Sequence, residues 1–133
     1  TWFDSVGGYD AALSIWEDID LVIRLYGPER FIHLAQPMYR HRLYGHNASR
    51  EIPSLRALDG RRRFLEKHAA ACRPGTPEGN ALSNDWAIYY ADLGKHHLRA
   101  HARQEARQAF RSALHHQPLN FKTWSRLLRS YFV

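Results

Sequence analysis

Three carboxylates stand within four residues near the beginning of the sequence, at Glu17, Asp18 and Asp20. A carboxylate within hydrogen-bond reach of a hydroxyl can take its proton and act as a general base. Acidic side chains are equally typical of a first helical turn, where each stabilises the helix by about 0.3 to 1 kcal/mol. The segment therefore has two interpretations, a catalytic carboxylate or the start of a helix.

Asp18-Ile19-Asp20 also forms a D-x-D string, which in sugar-nucleotide enzymes indicates a divalent cation that bridges phosphates. Such a pair works best at a strand end, where two carboxylates can reach one ion with open coordination positions. Here the string runs directly into Leu21, Val22 and Leu25, which share one face of a helix. This pattern predicts a helix from Glu17 and argues against a cation at the string.

Composition indicates a folded protein, since 44% of the 133 residues are hydrophobic and 24% are charged. The net charge of +6 is carried mainly by arginines spread along the chain, which favours solvated helix faces. Nucleic-acid binding, suggested by Arg61-Arg62-Arg63, is the weakest hypothesis because the aromatic residues are not interleaved with the basic ones. We therefore expect no nucleic-acid partner.

The sequence also bears on cellular location. No apolar run approaches the roughly 20 residues of a transmembrane helix, and residues 1–10 lack the pattern of a signal peptide. The single cysteine, Cys72, cannot form an internal disulfide and stands beside alanines, which indicates a reducing compartment. We expect a cytoplasmic protein, or one peripheral at the inner face of a membrane, that begins within a longer chain.

Residues 1–53 have a mixed pattern. Gly7-Gly8 indicates a turn, and Gly27-Pro28 ends the helix that begins at Glu17. A short strand is predicted over 31–34, and 38–44 reads as a second strand or an extended segment. Residues 54–133 are predicted to be a helical extension. Its helices run from Pro53-Ser54 to Cys72 and over about 84–95, 101–116 and 121–132, separated by a linker over 73–79, by Gly94 and by 118–120.

The region 87–120 resembles a single tetratricopeptide (TPR) repeat. The resemblance rests on Leu93-Gly94, Ala106, Phe110, Ala113 and Pro118. Small residues let two helices approach closely, and a phenylalanine fills the gap between them. Because about three repeats are usually needed to bury a core, the unit is either a cap or packing module or part of a longer array with a peptide-binding groove.

Four separate motifs in residues 1 to 50 resemble the C-terminal half of a family 2 glycosyltransferase of the GT-A fold. They are FDSVGGYD at 3–10, WEDIDL at 16–21 with Arg24-Leu25, YRHR at 39–42 and HNAS at 46–49. The resemblance implies an α/β fold for residues 1–53, formed by the acceptor-side part of the catalytic domain. It also implies an inverting transfer of a sugar from a nucleotide-sugar donor to an acceptor hydroxyl.

Residue roles follow from the resemblance. It implies that Asp18 is the general base and that Glu17 helps to orient the acceptor. The Gly7-Gly8 turn resembles an acceptor-side loop in which absent side chains leave room for a sugar. Trp16 either stacks on an acceptor ring or belongs to the core. Asp20 is expected to make a structural contact near Arg40 or Arg42.

The diphosphate side is implied by the same resemblance. The Arg-x-His string usual in that family is not met, so His41 and His46 are both candidates, with His46 the candidate metal ligand. Arg42 is a candidate for direct contact with the diphosphate, because a guanidinium matches phosphate geometry. A divalent cation, Mg²⁺ or Mn²⁺, is expected in the full-length enzyme to neutralise the leaving diphosphate.

Two functional hypotheses remain from the sequence. The first is the acceptor-side half of a sugar transferase, which lacks the donor-binding half and is expected to be inactive alone. Its partners would be a nucleotide-sugar and a glycan, lipid or protein acceptor. The second is a TPR-like protein-interaction module with no catalytic role, in which the helical tail binds a protein partner.

Overall fold

A computed structural model describes residues 1–13, 15–26, 35–40 and 54–132 of the chain. These residues form six helices and no strand. The helices are α1 (Trp2–Ser5), α2 (Glu17–Leu25), α3 (Leu55–Ala69), α4 (Pro77–Arg99), α5 (Arg103–His116) and α6 (Phe121–Phe132). None of them combines the length and apolar composition that crossing a bilayer requires.

The predicted α/β fold is therefore wrong, and the described part of the chain is all-helical. The strand expected over 31–34 and residues 41–44 of the second lie outside the described residues. Met38, Tyr39 and Arg40 are described, are exposed and belong to neither a helix nor a strand. The strand assignment relied on short apolar runs, which periodicity alone cannot assign to a strand.

Helix α2 begins at Glu17, as the sequence predicts, with Glu17, Asp18 and Asp20 in its first turn. Its N-cap is Trp16, whose backbone is left-handed with a φ of 62° and whose side chain makes no capping hydrogen bond. Glu17 and Asp18 stand in the first turn, where negative charge interacts favourably with the positive end of the helix dipole, and Asp18 also accepts a hydrogen bond from the Ile19 amide.

The boundary between α3 and α4 differs from the prediction. Ser54 caps α3 by accepting a hydrogen bond from the Ala57 amide at 3.2 Å, and α3 ends at Ala69, before Cys72. Helix α4 then begins at Pro77, within the expected linker, because Thr76 accepts a hydrogen bond from the Gly79 amide at 3.1 Å. Proline suits the first position of a helix, where its missing amide hydrogen costs nothing.

Gly94 was expected to separate two helices but lies inside α4. A Cβ atom at this position would stand 2.5 Å from Cε1 of Phe110 on α5. The glycine therefore makes room for the phenylalanine ring, which is fully buried. Helices α4 and α5 form an antiparallel hairpin, since Ser83 near the start of α4 is hydrogen bonded to His116 at the end of α5 at 3.2 Å.

Two apolar clusters lie within the described residues. The first joins α3 and α4 and consists of Leu13, Leu58, Phe64, Leu65 and Tyr89. The second joins α5 and α6 and consists of Ala106, Phe110, Leu114 and Leu127. Leu13 packs with residues of α3 although it belongs to the predicted first domain; the division at residue 53 stays a prediction.

We expect Gly94→Ala to destabilise the fold by about 1 to 3 kcal/mol, as overpacking does. Alanine favours an exposed helix by about 1 kcal/mol over glycine, so destabilisation would show that the Phe110 ring occupies the space. Urea unfolding measures the change. Phe110→Leu in the same protein should recover part of the loss, and an increase in stability from Gly94→Ala would contradict the packing described here.

Candidate functional site

The acidic segment contains one fully buried carboxylate, that of Asp20. Its Oδ2 accepts a hydrogen bond from Arg24 Nε at 2.8 Å. Its Oδ1 lies 2.9 Å from His68 Nε2 and 2.9 Å from Lys67 Nζ. These four residues, named here the Asp20 charge centre, join α2 to the last turn of α3. A buried charge with this many partners is compensated rather than free for chemistry.

The Asp20 charge centre also holds the N-terminal turn. Arg24 donates hydrogen bonds to the backbone carbonyls of Val6 and Gly8, the latter from Nη2 at 2.7 Å. Lys67 makes a second ion pair with Asp10 at 2.6 Å. The glycine turn, α2 and α3 are therefore tied together through two cationic side chains.

The electrostatics of Asp20 reflect two opposed effects. Burial raises the pKa of its carboxyl group, but hydrogen bonds from Lys67, Arg24 and His68 outweigh burial, so the pKa lies below its ordinary value of 3.8. The carboxylate therefore stays ionised in the folded protein. An ionised, enclosed and fully partnered carboxylate anchors the structure.

The structural role predicted for Asp20 agrees with this geometry, but the predicted partners do not. The observed partners are Arg24, Lys67 and His68. Arg40 is not among them, and Arg42 lies outside the described residues. Arg24 could have been found from the sequence, because residues four apart face each other on a helix. Lys67 and His68 carry no such local signal.

Asp18 and Glu17 are both exposed at the first turn of α2. The Asp18 carboxylate accepts a hydrogen bond from the Ile19 amide at 2.8 Å. Neither residue lines the cavity that lies between α2, α3 and the first turns of α4. Both carboxylates are open to an approaching hydroxyl, but no described side chain pairs with either of them to position it. The assignment of Asp18 as general base stays a prediction.

The residues expected to bind an acceptor sugar contact protein groups. Gly8 is buried, and a Cβ atom there would lie 3.1 Å from the Phe3 ring. The Trp16 ring meets Phe64 edge to face, with centroids 5.0 Å apart, and Arg61 Cζ lies 4.5 Å from the Trp16 ring centroid. Among Gly7, Gly8 and Trp16, only Gly7 has open space at the position that a side chain would occupy.

The residues predicted for the diphosphate and metal side, His41, Arg42 and His46, lie outside the described residues. Within the described ranges, no three His, Cys, Asp or Glu side chains converge to hold a metal ion. The divalent cation expected for the full-length enzyme thus stays a prediction.

A cavity of about 600 Å³ opens between α2, α3 and the first turns of α4. Its walls are mainly apolar and include Trp16, Ile19, Ile23, Phe64 and Leu82. Polar side chains at its edge come from His68, Cys72, Glu78 and Asp85. We call it the α2–α4 cavity. One of its walls, α2, is held in place by the Asp20 charge centre.

A second surface stands out on α6. Helix α6 buries Thr123, Leu127 and Ser130. Five large side chains on the opposite side are exposed, and we call them the α6 outer face: Phe121, Trp124, Leu128, Tyr131 and Phe132. Their spacing places four of them along one ridge, at 121, 124, 128 and 131.

Comparisons with protein-family models, with curated proteins and with solved structures found no match. The fold and the two surfaces thus define an all-helical protein over the described residues, without a family assignment. The assignment of residues 1–53 to a family 2 glycosyltransferase of the GT-A fold was wrong, because the described residues form helices without a strand. The resemblance to a TPR repeat likewise has no support from these comparisons.

We expect Asp20→Asn to destabilise the protein by about 3 kcal/mol or more, because it leaves the largely buried Arg24 guanidinium without its carboxylate and removes one of the two carboxylates that pair with Lys67. Asp18→Asn is the matched control. Asp18 is exposed in the same helical turn, so its loss should cost about 1 kcal/mol or less. Urea unfolding at pH 7 measures both. Equal effects of the two substitutions would contradict an anchoring role for Asp20.

The same proteins test this prediction through pH. Because the pKa of Asp20 is lower in the folded state, its contribution is present above about pH 4 and declines as pH falls through the folded value. The stability difference between the parent protein and Asp20→Asn should therefore narrow below pH 4. Asp59, whose pKa is lowered by Arg62 and Arg63 and which contacts no member of the Asp20 charge centre, is common to both proteins and cancels in the difference.

Proposed function

We propose that this chain is a helical protein-interaction module and that the α6 outer face is its binding surface. The observation that carries the proposal is the exposure of five large apolar side chains on one helix, with Phe121 and Phe132 more than four-fifths exposed. Contiguous apolar patches of this kind are typical of protein interaction sites. Trp and Tyr, both present on this face, are enriched among the residues that dominate binding energy.

Two side chains of the α6 outer face, Trp124 and Tyr131, are held in place by contacts within the protein. Trp124 Nε1 donates a hydrogen bond to the Pro118 carbonyl at 2.8 Å. The Tyr131 hydroxyl accepts a hydrogen bond from Arg111 Nη2 at 2.8 Å, and Arg107 Cζ lies 4.2 Å from the Tyr131 ring centroid. Preorganised side chains lose little conformational freedom on binding.

Charge determines the kind of partner. Helix α6 contains Lys122, Arg126 and Arg129 and no acidic residue. None of these three cations has an ion pair within the described part of the chain. A complementary partner is an amphipathic helix whose apolar stripe packs on the α6 outer face and whose flanks carry Asp or Glu. The cytoplasmic location expected from the sequence belongs to this proposal.

Two designed helical peptides of about 18 residues test the proposal. Both have leucines at positions i, i+3, i+4 and i+7, and they differ only in having glutamate or lysine at the flanking positions. We expect the glutamate peptide to bind at least about tenfold more tightly, measured by fluorescence anisotropy, and its affinity to fall as salt rises. Leu128→Ala should weaken this binding about tenfold.

Ile88→Ala is the matched control, since Ile88 is an exposed aliphatic residue on α4. It should leave peptide binding unchanged. Equal binding of the two peptides, or no effect of Leu128→Ala, would overturn the proposal. Sedimentation of the free protein tests a different occupant: a dimer that Leu128→Ala dissociates would show that a second copy covers this face.

A second candidate function is the sugar transfer predicted for the full-length protein. This proposal does not depend on the GT-A fold assignment, which was wrong. The observation that favours it is the exposure of the Glu17 and Asp18 carboxylates on a helix anchored by Asp20. An exposed carboxylate on a rigid element can accept a proton from a hydroxyl. The nucleotide-sugar donor, the acceptor and the divalent cation are part of this proposal.

Asp18→Asn in the full-length protein tests the second candidate. If Asp18 is the base, the variant should lose about 100-fold or more in turnover while still binding a nucleotide-sugar. The measurement is turnover of nucleotide-sugar with Mg²⁺ or Mn²⁺ added, and stability should change little. Activity that survives Asp18→Asn would favour the interaction module alone.

A further inference from the structure

The α2–α4 cavity has the size of a small-molecule site. Its volume of about 600 Å³ falls within the range of roughly 300 to 1,000 Å³ that is typical of ligand pockets. Its walls are mostly apolar and aromatic, and its few polar groups are confined to particular positions. This combination is the usual composition of sites that bind small organic molecules.

The cavity walls are fixed by contacts already described. Trp16 contacts both the ring of Phe64, in a T-shaped arrangement, and the guanidinium of Arg61. His68, on another wall, is hydrogen bonded to Asp20. These contacts join α2 to α3, so the opening between them exists before any ligand binds.

The charge of the cavity is negative on the α4 side. Glu78, Ala81, Leu82 and Asp85 line it at positions i, i+3, i+4 and i+7, which share one face of the helix. Within the part of the chain that the structure describes, no hydrogen bond or ion pair reaches the carboxylate of Glu78 or of Asp85. Glu78 is exposed and solvated, whereas Asp85 is partly buried. A partly buried carboxylate without a contacting partner is unfavourable, and a cation in the cavity would supply the missing interaction at Asp85.

The state of Asp85 supports this interpretation. Burial raises the pKa of its carboxyl group, and the more distant attraction of Arg61 offsets that effect only in part. Asp20, by contrast, has no exposed surface but has its pKa lowered by three partners. The difference between the two aspartates is that Asp20 is in direct contact with cationic side chains, whereas Asp85 has only the partial attraction of Arg61, with which it forms no ion pair.

We propose that the α2–α4 cavity binds an organic cation with an apolar, aromatic body. The body would lie among Trp16, Ile23, Phe64 and Leu82, and its amine or ammonium group would pair with Asp85, with Glu78 at the opening. This site is separate from the α6 outer face, and neither proposal depends on the other.

Three dansyl probes that differ in charge test the proposal: dansylcadaverine is cationic, dansylamide is neutral and dansyl-6-aminohexanoate is anionic. Dansyl fluorescence increases in an apolar environment, so titration of the protein gives each affinity directly. We expect the cation to bind at least about tenfold more tightly than the anion, which corresponds to about 1.4 kcal/mol, with the neutral probe between them.

Variants identify the site. Asp85→Asn should reduce the affinity for dansylcadaverine about fivefold to tenfold and remove most of the difference between the probes. It should fold, because it replaces a desolvated carboxyl with a neutral group of the same size. Leu82→Trp should block all three probes by filling the cavity, with thermal unfolding as the check that this variant folds. Glu105→Gln, an exposed acidic residue on α5, is the matched control and should change nothing.

Three results would contradict the proposal. Equal affinity for cation and anion would overturn the assignment of a cationic ligand. Binding that persists unchanged in Asp85→Asn would do the same, whatever the effect of Leu82→Trp. Competition by the glutamate peptide used on α6 would also overturn the proposal, since it would show that the probes bind at the α6 outer face.

Discussion

The buried carboxylate of Asp20 is the interaction on which the arrangement of the first half depends. An enclosed charge is tolerated only with close partners of opposite sign, and Asp20 obtains them from its own helix and from the end of α3. Through Arg24 the same centre fixes the glycine turn. Helix α2 is short and has no side-chain cap, so its position comes from these ion pairs and from Trp16 against Phe64 more than from its own helical stability.

This anchoring separates the three acidic residues into two kinds. Asp20 points into the protein and is compensated, whereas Glu17 and Asp18 face solvent. Of the three carboxylates that stand together in the sequence, Asp20 therefore has a structural role, and Glu17 and Asp18 remain accessible to solvent. The same placement of α2 opens the cavity against α3 and α4, so the charge that holds the helix also shapes the neighbouring apolar site.

The two surfaces proposed for binding differ in sign. The α6 outer face is apolar with basic flanks, and the α2–α4 cavity is apolar with acidic groups on α4. The net charge of +6 does not distinguish these two surfaces, because it is summed over the whole chain. Local charge, set by which helix faces are exposed, is the reason we propose an acidic helix as the partner of one site and an organic cation as the ligand of the other. The close contact of Gly94 with Phe110 packs α4, which lines the cavity, against α5, on which α6 packs.

Local physics in the sequence determined the start of α2 at Glu17, the cap at Ser54 and the extent of α6, because helix signals act over one or two turns. The Asp20–Arg24 pair could also be predicted from the sequence, because residues four apart lie on the same face of a helix. Tertiary structure alone decided that Lys67 and His68 complete the charge centre, as His68 lies 48 residues from Asp20. It likewise decided that Gly94 sits within a helix and that Trp16 packs on Phe64. The sequence alone does not show whether a glycine ends a helix or makes room for a distant ring, or whether a tryptophan binds a ligand or packs in the core. These roles depend on contacts between residues far apart in the chain, which only the tertiary structure determines.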